Sequence, residues 1–245
     1  MTAQQRPPTG VSKVSVSRSV LQSGFFSRES TARILPFATY IAFIAIADVL
    51  SRLGWTDNEL RWLYPVKIAA VVIVLLAYRK HYSELKRHTF RARTAVMSVI
   101  VGLIVLVLWV NLDAPWMQIG TAAGFDPTSG ARQIDWLLVA LRITGAALVV
   151  PVMEELFWRS FLMRWMVSGD FLKVHPISVR LQAIAVTAIL FGFEHNLWLA
   201  GIVAGLAYTL LYMRTGTLWA PILAHAVTNG LLGLWIVGTG NWAYW

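Results

Sequence analysis

The chain alternates between long apolar stretches and short polar segments along most of its length. The seven apolar stretches lie at about 34–53, 60–78, 94–113, 134–163, 179–195, 198–213 and 217–238. Most are close to the ~20 residues that an α-helix needs to cross the hydrocarbon core of a bilayer. The alternation of single apolar and polar residues that marks a membrane β-barrel strand is missing. The pattern therefore predicts an all-α, polytopic membrane helix bundle.

The fourth stretch is longer than a single crossing requires. It runs over residues 134–163 and fits either one long tilted helix or a span with an amphipathic extension. A division there would give eight membrane segments instead of seven. The sequence thus predicts seven to eight transmembrane helices.

Composition agrees with a membrane protein and excludes several other classes. Hydrophobic residues make up 57% of the chain, charged residues 13%, and the mean hydropathy is +0.61. Cysteine is absent, which excludes disulfides, thiolate metal sites and a Cys nucleophile. The net charge of +9 lies in the N-terminal tail and in short loops, so we predict a lipid bilayer and no nucleic acid as partner.

The distribution of Lys and Arg predicts the orientation in the membrane. Basic residues are concentrated in the tail and in the loop at 79–93, which we expect to face the cytoplasm, as does the N-terminus. The loops near 54–59 and 114–133 carry few basic residues and are expected on the opposite side. The basic residues counted for the tail and the loop are Arg6, Lys13, Arg18, Arg28, Arg33, Arg79, Lys80, Lys86, Arg87, Arg91 and Arg93.

Three charged residues interrupt the apolar stretch "VVPVMEELFWRSFL" at 149–162. A charge inside the hydrocarbon region costs several kcal/mol or more, so the interruption needs a reason. On a helix, Glu155 and Arg159 are neighbours at i,i+4 and can pair, whereas Glu154 points about 100° away. A free carboxylate beside a neutralised pair is suited to general base catalysis. The alternative is a salt-bridge network that only holds the bundle together.

Two later apolar stretches carry further polar groups at one-turn spacing. "LFGFEHNLW" places Phe191 and His195 on one helix face, and "LAHAVTNG" does the same for His225 and Asn229. At 1.5 Å per residue, Glu154 and both histidines lie roughly 15–22 Å from the nearest cytoplasmic loop. We therefore expect the three stretches to bring these groups together near the middle of the membrane.

The chemistry of such a set leaves two alternatives open. Glu154 and His195 can hold and deprotonate a water, while His225 and Asn229 can donate hydrogen bonds to an oxyanion. Alternatively, Glu154, His195 and His225 can ligate a divalent metal ion such as zinc with an open water position. The single-helix HExxH spacing is absent, so such a metal site would be assembled across helices. No cofactor is firmly predicted.

In their order, "EELFWR", "FGFEH" and "HAVTN" resemble the motifs EExxxR, FxxxH and HxxxN of the CPBP intramembrane proteases, also called the CAAX-protease, bacteriocin-processing or Abi family. The resemblance implies an endopeptidase, either glutamate-type or metallo-endopeptidase, that acts on a membrane-associated or C-terminally tagged protein. It implies that Glu154 and His195 activate water and that His225 and Asn229 stabilise the oxyanion. Glu155 and Arg159 would then brace the helix, and Phe191 would pack in the site.

Longer strings such as "EELFWRSFLMRW" and "EHNLWLAGIVAGLAY" resemble a bacterial CAAX prenyl protease-related branch that is associated with exosortase sorting systems. This resemblance implies a location in the bacterial cytoplasmic (inner) membrane. Glu194 departs from the family pattern, and it either orients His195 as a hydrogen-bond acceptor or serves as a further structural ion partner. Arg142 is equally open: it can anchor a substrate carboxylate, snorkel to the surface or pair with another helix.

The expected organisation has three parts. Residues 1–32 form a flexible basic cytoplasmic tail, 33–133 the N-terminal transmembrane helices, and 134–240 the CPBP-type protease core. Two rival functions remain: a non-enzymatic immunity or sorting-accessory protein in the membrane, and a proton- or metal-coupled transporter. The repeated halves and paired broken helices that are typical of transporters are not seen in the sequence.

Overall fold

The structure is a computed structural model that describes residues 27–86, 90–120, 124–128 and 133–245. Within these ranges the chain is helical, with one isolated β-bridge between Thr128 and Ile134 and no strand. The predicted all-α class is confirmed. Residues 1–26 of the predicted flexible tail lie outside the described residues, and so does Arg87 of the basic loop.

Seven main helices follow the seven apolar stretches. They are α1 (Arg28–Arg52), α2 (Leu63–Ala77), α3 (Ala92–Trp109), α4 (Trp136–Trp165), α5 (Leu181–Phe193), α6 (Trp198–Thr215) and α7 (Trp219–Thr239). A single helical turn, Asp57–Leu60, precedes α2. Shorter 3₁₀ turns connect the main helices at both ends of the bundle.

The predicted seven to eight membrane helices are not confirmed. In the described part of the chain, five helices are long and apolar enough to cross a membrane, namely α1, α2 with its preceding turn, α3, α4 and α7. Helix α5 has 13 residues and is therefore only about 20 Å long. The difference lies in two helices: α5 ends early, after Phe193 in "FGFEHNLW", and α6, which begins at Trp198 and has 18 residues, is long enough but not apolar enough.

Helix α4 is one continuous helix, so the long fourth stretch is not divided into two spans. Two wider π-helical stretches, Gly145–Val149 and Leu156–Leu162, interrupt its regular winding. The first ends just before Pro151, whose missing N–H and bulky ring disturb a regular α-helix. Wider turns of this kind occur often at functional sites. The second begins directly after Glu155.

The first helix begins earlier than the sequence predicted. We expected the tail to extend to residue 32, but α1 starts at Arg28. Ser27 caps it by accepting a hydrogen bond from the Ser30 N–H at 3.1 Å, and Glu29 in the first turn complements the helix dipole. The boundary was missed because the capping signal lies within a polar, Ser-rich segment.

Arg33, which we placed in the tail, is instead completely buried, with 0% exposure. Its guanidinium donates to Glu84 at 2.9 Å and to the backbone oxygen of His81 at 3.1 Å. Ser160 of α4 donates to the same Glu84 carboxylate, and the Arg164 guanidinium lies 3.6 Å from it. These four side chains, Arg33, Glu84, Ser160 and Arg164, form an internal ion cluster that joins α1, α4 and the loop after α2.

Replacing Glu84 with Gln is expected to destabilise the protein, because it leaves two buried arginines without their shared carboxylate. Burial alone would raise the pKa of Glu84, but its hydrogen bonds and charge interaction with Arg33 outweigh burial and lower it. A lowered pKa means that the stabilisation is present above the unfolded-state value of about 4.3 and is lost as the pH falls below it.

The test is thermal unfolding in detergent between neutral and acidic pH. The melting temperature of Glu84→Gln should lie several degrees below that of the wild type at neutral pH, and the gap should close on acidification. Asp170→Asn removes an exposed carboxylate whose ion pair within the described residues is with exposed Lys173, so it serves as the control. A gap that is absent at neutral pH, or constant with pH, would contradict this role of Glu84.

The later helices enclose the centre of the bundle. Helix α7 packs against α3 and against the middle of α4, while α6 packs along α5 and contacts α3. Gly102 permits the closest approach of α3 to α7, because a Cβ there would lie only 2.5 Å from the backbone oxygen of Ala224. Between these helices lies a cavity that contains the candidate site.

Candidate active site

One internal cavity of about 210 Å³ collects polar residues from helices that are far apart in sequence. All four predicted catalytic residues line it, as does the predicted packing residue: they are Glu154, His195, His225, Asn229 and Phe191. The structure therefore brings the three sequence motifs together. Their chemical roles stay predictions.

The expected pair between Glu155 and Arg159 is present beside the cavity. The Arg159 guanidinium donates to Glu155 Oε1 at 3.1 Å, and both side chains are buried. Arg159 also donates to the backbone oxygen of Gly205 at 3.3 Å and lies 4.3 Å above the ring of Phe191. The pair thus connects α4 to α5 and α6.

Glu154 is the carboxylate that remains open to the cavity. It is only 4% exposed, and its Oε2 atom is buried without a hydrogen-bond partner. The Nε2 atom of His225 lies 4.0 Å from that oxygen. This distance is too long for a direct hydrogen bond but fits one water at about 2.8 Å from both atoms.

His225 is held in a fixed orientation by the neighbouring glutamate. Its Nδ1 lies 3.2 Å from Glu155 Oε1, and its ring stacks on Tyr208 with the ring centres 5.0 Å apart. Tyr208 in turn donates to Thr228 at 2.8 Å. Because a carboxylate can only accept, the His225 proton resides on Nδ1, and Nε2 is the atom directed toward Glu154.

His195 lies in the turn between α5 and α6 rather than inside a helix. Its Nδ1 is 2.8 Å from the backbone oxygen of Phe191, and its ring meets Trp109 edge to face at 5.2 Å. Since a carbonyl only accepts, Nδ1 carries the proton and Nε2 of the neutral ring is left as an acceptor. The four-residue spacing of Phe191 and His195 thus allows the His195 ring to bond the Phe191 carbonyl at the end of α5.

Asn229 is positioned by the irregularity in α4. In the first wide turn the Val150 N–H bonds to Gly145, so the carbonyl of Ala146 loses its usual donor. Pro151 has no N–H to offer in its place. The Asn229 side-chain amide donates to this carbonyl at 2.9 Å, which leaves its second N–H and its oxygen for other partners. Pro151 thereby fixes the position of Asn229 across the helix interface.

The structure gives Glu194 a different partner from those expected. Neither proposed role, an acceptor for His195 or an ion partner, is seen among its described hydrogen bonds and ion pairs. Instead its Oε2 accepts the indole N–H of Trp158 at 3.0 Å. No local sequence pattern predicts this contact, because it joins residues 36 positions apart.

The alternative metal site requires three ligands close to one point. Among the residues that the structure describes, no three His, Asp or Glu side chains are placed to hold one metal ion. His225 and His195 use Nδ1 for their contacts with Glu155 and a backbone carbonyl, and metal-ligating histidines commonly make the same contacts, so Nε2 of each ring stays available. The ligand set of Glu154, His195 and His225 is thus not assembled in the described residues, and metal binding by it stays a prediction.

Sequence reasoning missed several aromatic residues of the cavity wall. Tyr40 and Tyr64 from the first two helices, Trp109 from α3 and the C-terminal Trp245 all line the cavity. Tyrosine and tryptophan are common at the ends of membrane helices, so their sequence positions did not distinguish cavity walls from surface anchors.

Part of the chain matches the model of a known protein family. Residues 136–231 match the model of the Rce1-like family, described as type II CAAX prenyl endopeptidase Rce1-like. The match contains all three motifs and confirms the resemblance drawn from them. No curated protein and no solved structure matches the chain.

Proposed function

Because residues 136–231 carry a domain of this CAAX endopeptidase family, we propose that the protein is an intramembrane endopeptidase. Its substrate would be a membrane-associated or C-terminally tagged protein. The observation that carries the proposal is the convergence of Glu154, His195, His225 and Asn229 on one buried cavity. Peptide hydrolysis needs a base, a water and donors for an oxyanion, and this set can supply all three.

Glu154 is the general base in this proposal. Its free Oε2 atom and His225 Nε2, 4.0 Å away, hold the attacking water between them. The carboxylate takes a proton from the water as the oxygen attacks the scissile carbonyl, and it returns that proton to the leaving nitrogen. His195 Nε2, as an acceptor on the same cavity, assists in orienting the water.

The oxyanion forms on the side of α7. The free N–H of Asn229 donates to it, and so does Nε2–H of His225, whose ring enters the reaction as the imidazolium and keeps both protons throughout. Glu155 stabilises this imidazolium, because its Oε1 lies 3.2 Å from Nδ1 of the same ring. Glu155 and Arg159 thus support the site without contacting the substrate.

The test is cleavage of a synthetic library of apolar peptides by the purified protein in detergent, with and without a strong chelator. We expect cleavage products in the mass spectrum and the same rate after chelation, since Glu154 activates water without a metal. A rate that falls after chelation and recovers with zinc would contradict the glutamate mechanism. Absence of cleavage by a purified protein whose gene complements a deletion strain would favour the non-enzymatic function.

The orientation is part of the proposal. Most Lys and Arg of the described chain lie at the end that contains the start of α1 and the loops after α2 and α4. That end would face the cytoplasm of a bacterial inner membrane. The opposite end, which contains the C-terminus and the start of α4, would face outward. Arg142 lies nearer to this outer end than Glu154 does.

A further inference from the structure

Arg142 lies on the wall of the same cavity, about three helical turns before Glu154 on α4. Three aromatic rings surround its guanidinium. The distances from the guanidinium carbon to the ring centres are 4.7 Å for Tyr64, 4.6 Å for Phe125 and 5.6 Å for Trp245. The positive charge therefore lies in an aromatic cage at the outer part of the cavity.

Within the described residues, no ion pair provides a carboxylate for this charge. All 12 Asp and Glu residues belong to the described ranges, and none of the ion pairs there includes Arg142. Lys67 is in the same situation: its amino group lies 3.8 Å from the Tyr40 ring and 5.0 Å from that of Tyr64. Two cations thus flank Tyr64; Lys67 interacts with the charge of Glu154, whereas Arg142 has no carboxylate among the groups that act on it.

A cation in a membrane span is costly unless it is paired, and such residues usually have a functional role. Contacts with aromatic faces compensate only part of the lost hydration. They also leave the edge of the guanidinium free, where its N–H groups form a fork that matches a carboxylate in two parallel hydrogen bonds. The arrangement is suited to an anionic ligand that enters the cavity.

We propose that Arg142 binds the C-terminal carboxylate of the peptide substrate. This assignment rests on the proposed function, because it places the substrate in the cavity that contains Glu154. The 12 positions between Arg142 and Glu154 correspond to about 18 Å along a helix. An extended peptide covers this distance in about five residues. The enzyme would therefore remove a short C-terminal fragment, and Arg142 would set the cleavage position by holding its end.

The test uses the synthetic apolar peptides in matched pairs, one member with a free C-terminal carboxylate and one as the C-terminal amide. Wild-type protein should cleave the free acid with a kcat/KM about 10- to 100-fold above that of the amide, as expected for one charge-assisted pair. Arg142→Gln should lose this preference through a higher KM for the acid, with kcat nearly unchanged.

Arg52→Gln is the matched control, since Arg52 lies at the same end of the bundle but is exposed and pairs with Asp48 at 2.8 Å. It should keep the preference for the acid. Binding of a labelled acid peptide to Glu154→Gln, with and without the Arg142 change, measures recognition apart from cleavage. There the Arg142 change should weaken binding of the acid and leave that of the amide unchanged.

The outcomes separate this inference from the proposed function. Equal cleavage of acid and amide by the wild type, or a preference that survives in Arg142→Gln, overturns the role of Arg142 while the protease function stands. Cleavage of neither form by the wild type counts against the protease function, and the binding measurement then decides on the carboxylate site. Binding that anionic phosphatidylglycerol abolishes equally for acid and amide would identify a lipid headgroup site and overturn the proposal.

Discussion

Glu154→Gln is expected to reduce peptide hydrolysis by about 100- to 10,000-fold while the protein stays folded. The substitution keeps the shape of the side chain but removes the group that takes the proton from water. Its cost in stability is small, because the Oε2 atom of Glu154 has no hydrogen-bond partner to lose. The measurement is the initial rate of peptide cleavage, together with the melting temperature of the same preparation.

Glu154→Asp provides the control for the chemistry. It retains a carboxylate but withdraws it by about one carbon–carbon bond, so activity should lie between those of the wild type and Glu154→Gln. Full activity in Glu154→Gln would show that another group activates the water. A large loss of folded protein would show instead that Glu154 has a structural role.

Glu155→Gln, one position further along the helix, is expected to destabilise the protein strongly. Glu155 Oε1 accepts from Arg159 at 3.1 Å and lies 3.2 Å from His225 Nδ1, and all three side chains are buried. Removing the carboxylate leaves the Arg159 charge uncompensated, which costs about 3–5 kcal/mol in buried pairs. Thermal unfolding in detergent should show a melting temperature well below that of the wild type.

The adjacent Glu154→Gln is the matched comparison, because it makes the same change on the same helix turn. The double variant Glu155→Gln with Arg159→Met should regain much of the lost stability, since it removes the unpaired charge as well. Equal melting temperatures for Glu155→Gln and the wild type would contradict the bracing role. So would a double variant that is less stable than Glu155→Gln alone.

The sequence predicted the features that local rules determine. The period of the α-helix was enough to pair Glu155 with Arg159 and to place His225 and Asn229 on one face. The membrane setting made these residues conspicuous, because charges are rare in apolar stretches. The similar depths of the three motifs in the membrane were enough to predict that they lie close together. In the structure all three line one cavity.

Features that depend on packing between distant helices were not predictable in this way. Arg33 has the sequence context of a basic membrane flank, yet Glu84 and Ser160 from other segments bury it completely. The partner of Asn229 is a carbonyl that Pro151 leaves without a donor. Predicting this contact requires knowing how α4 crosses α7. The partner of Glu194 likewise comes from another helix. Periodicity reports which face a residue occupies but not what that face meets.

The measurement that tests the central claim most directly is mass spectrometry of peptide products formed in water enriched in the heavy oxygen isotope. Wild-type protein should give two fragments, with one heavy oxygen in the new carboxylate of the N-terminal fragment, and Glu154→Gln should form them more slowly by the factor given above. Hydrolysis by water that Glu154 activates requires this result. Labelled fragments from both proteins at equal rates, or no fragments from a wild-type protein that is active in the cell, would contradict it.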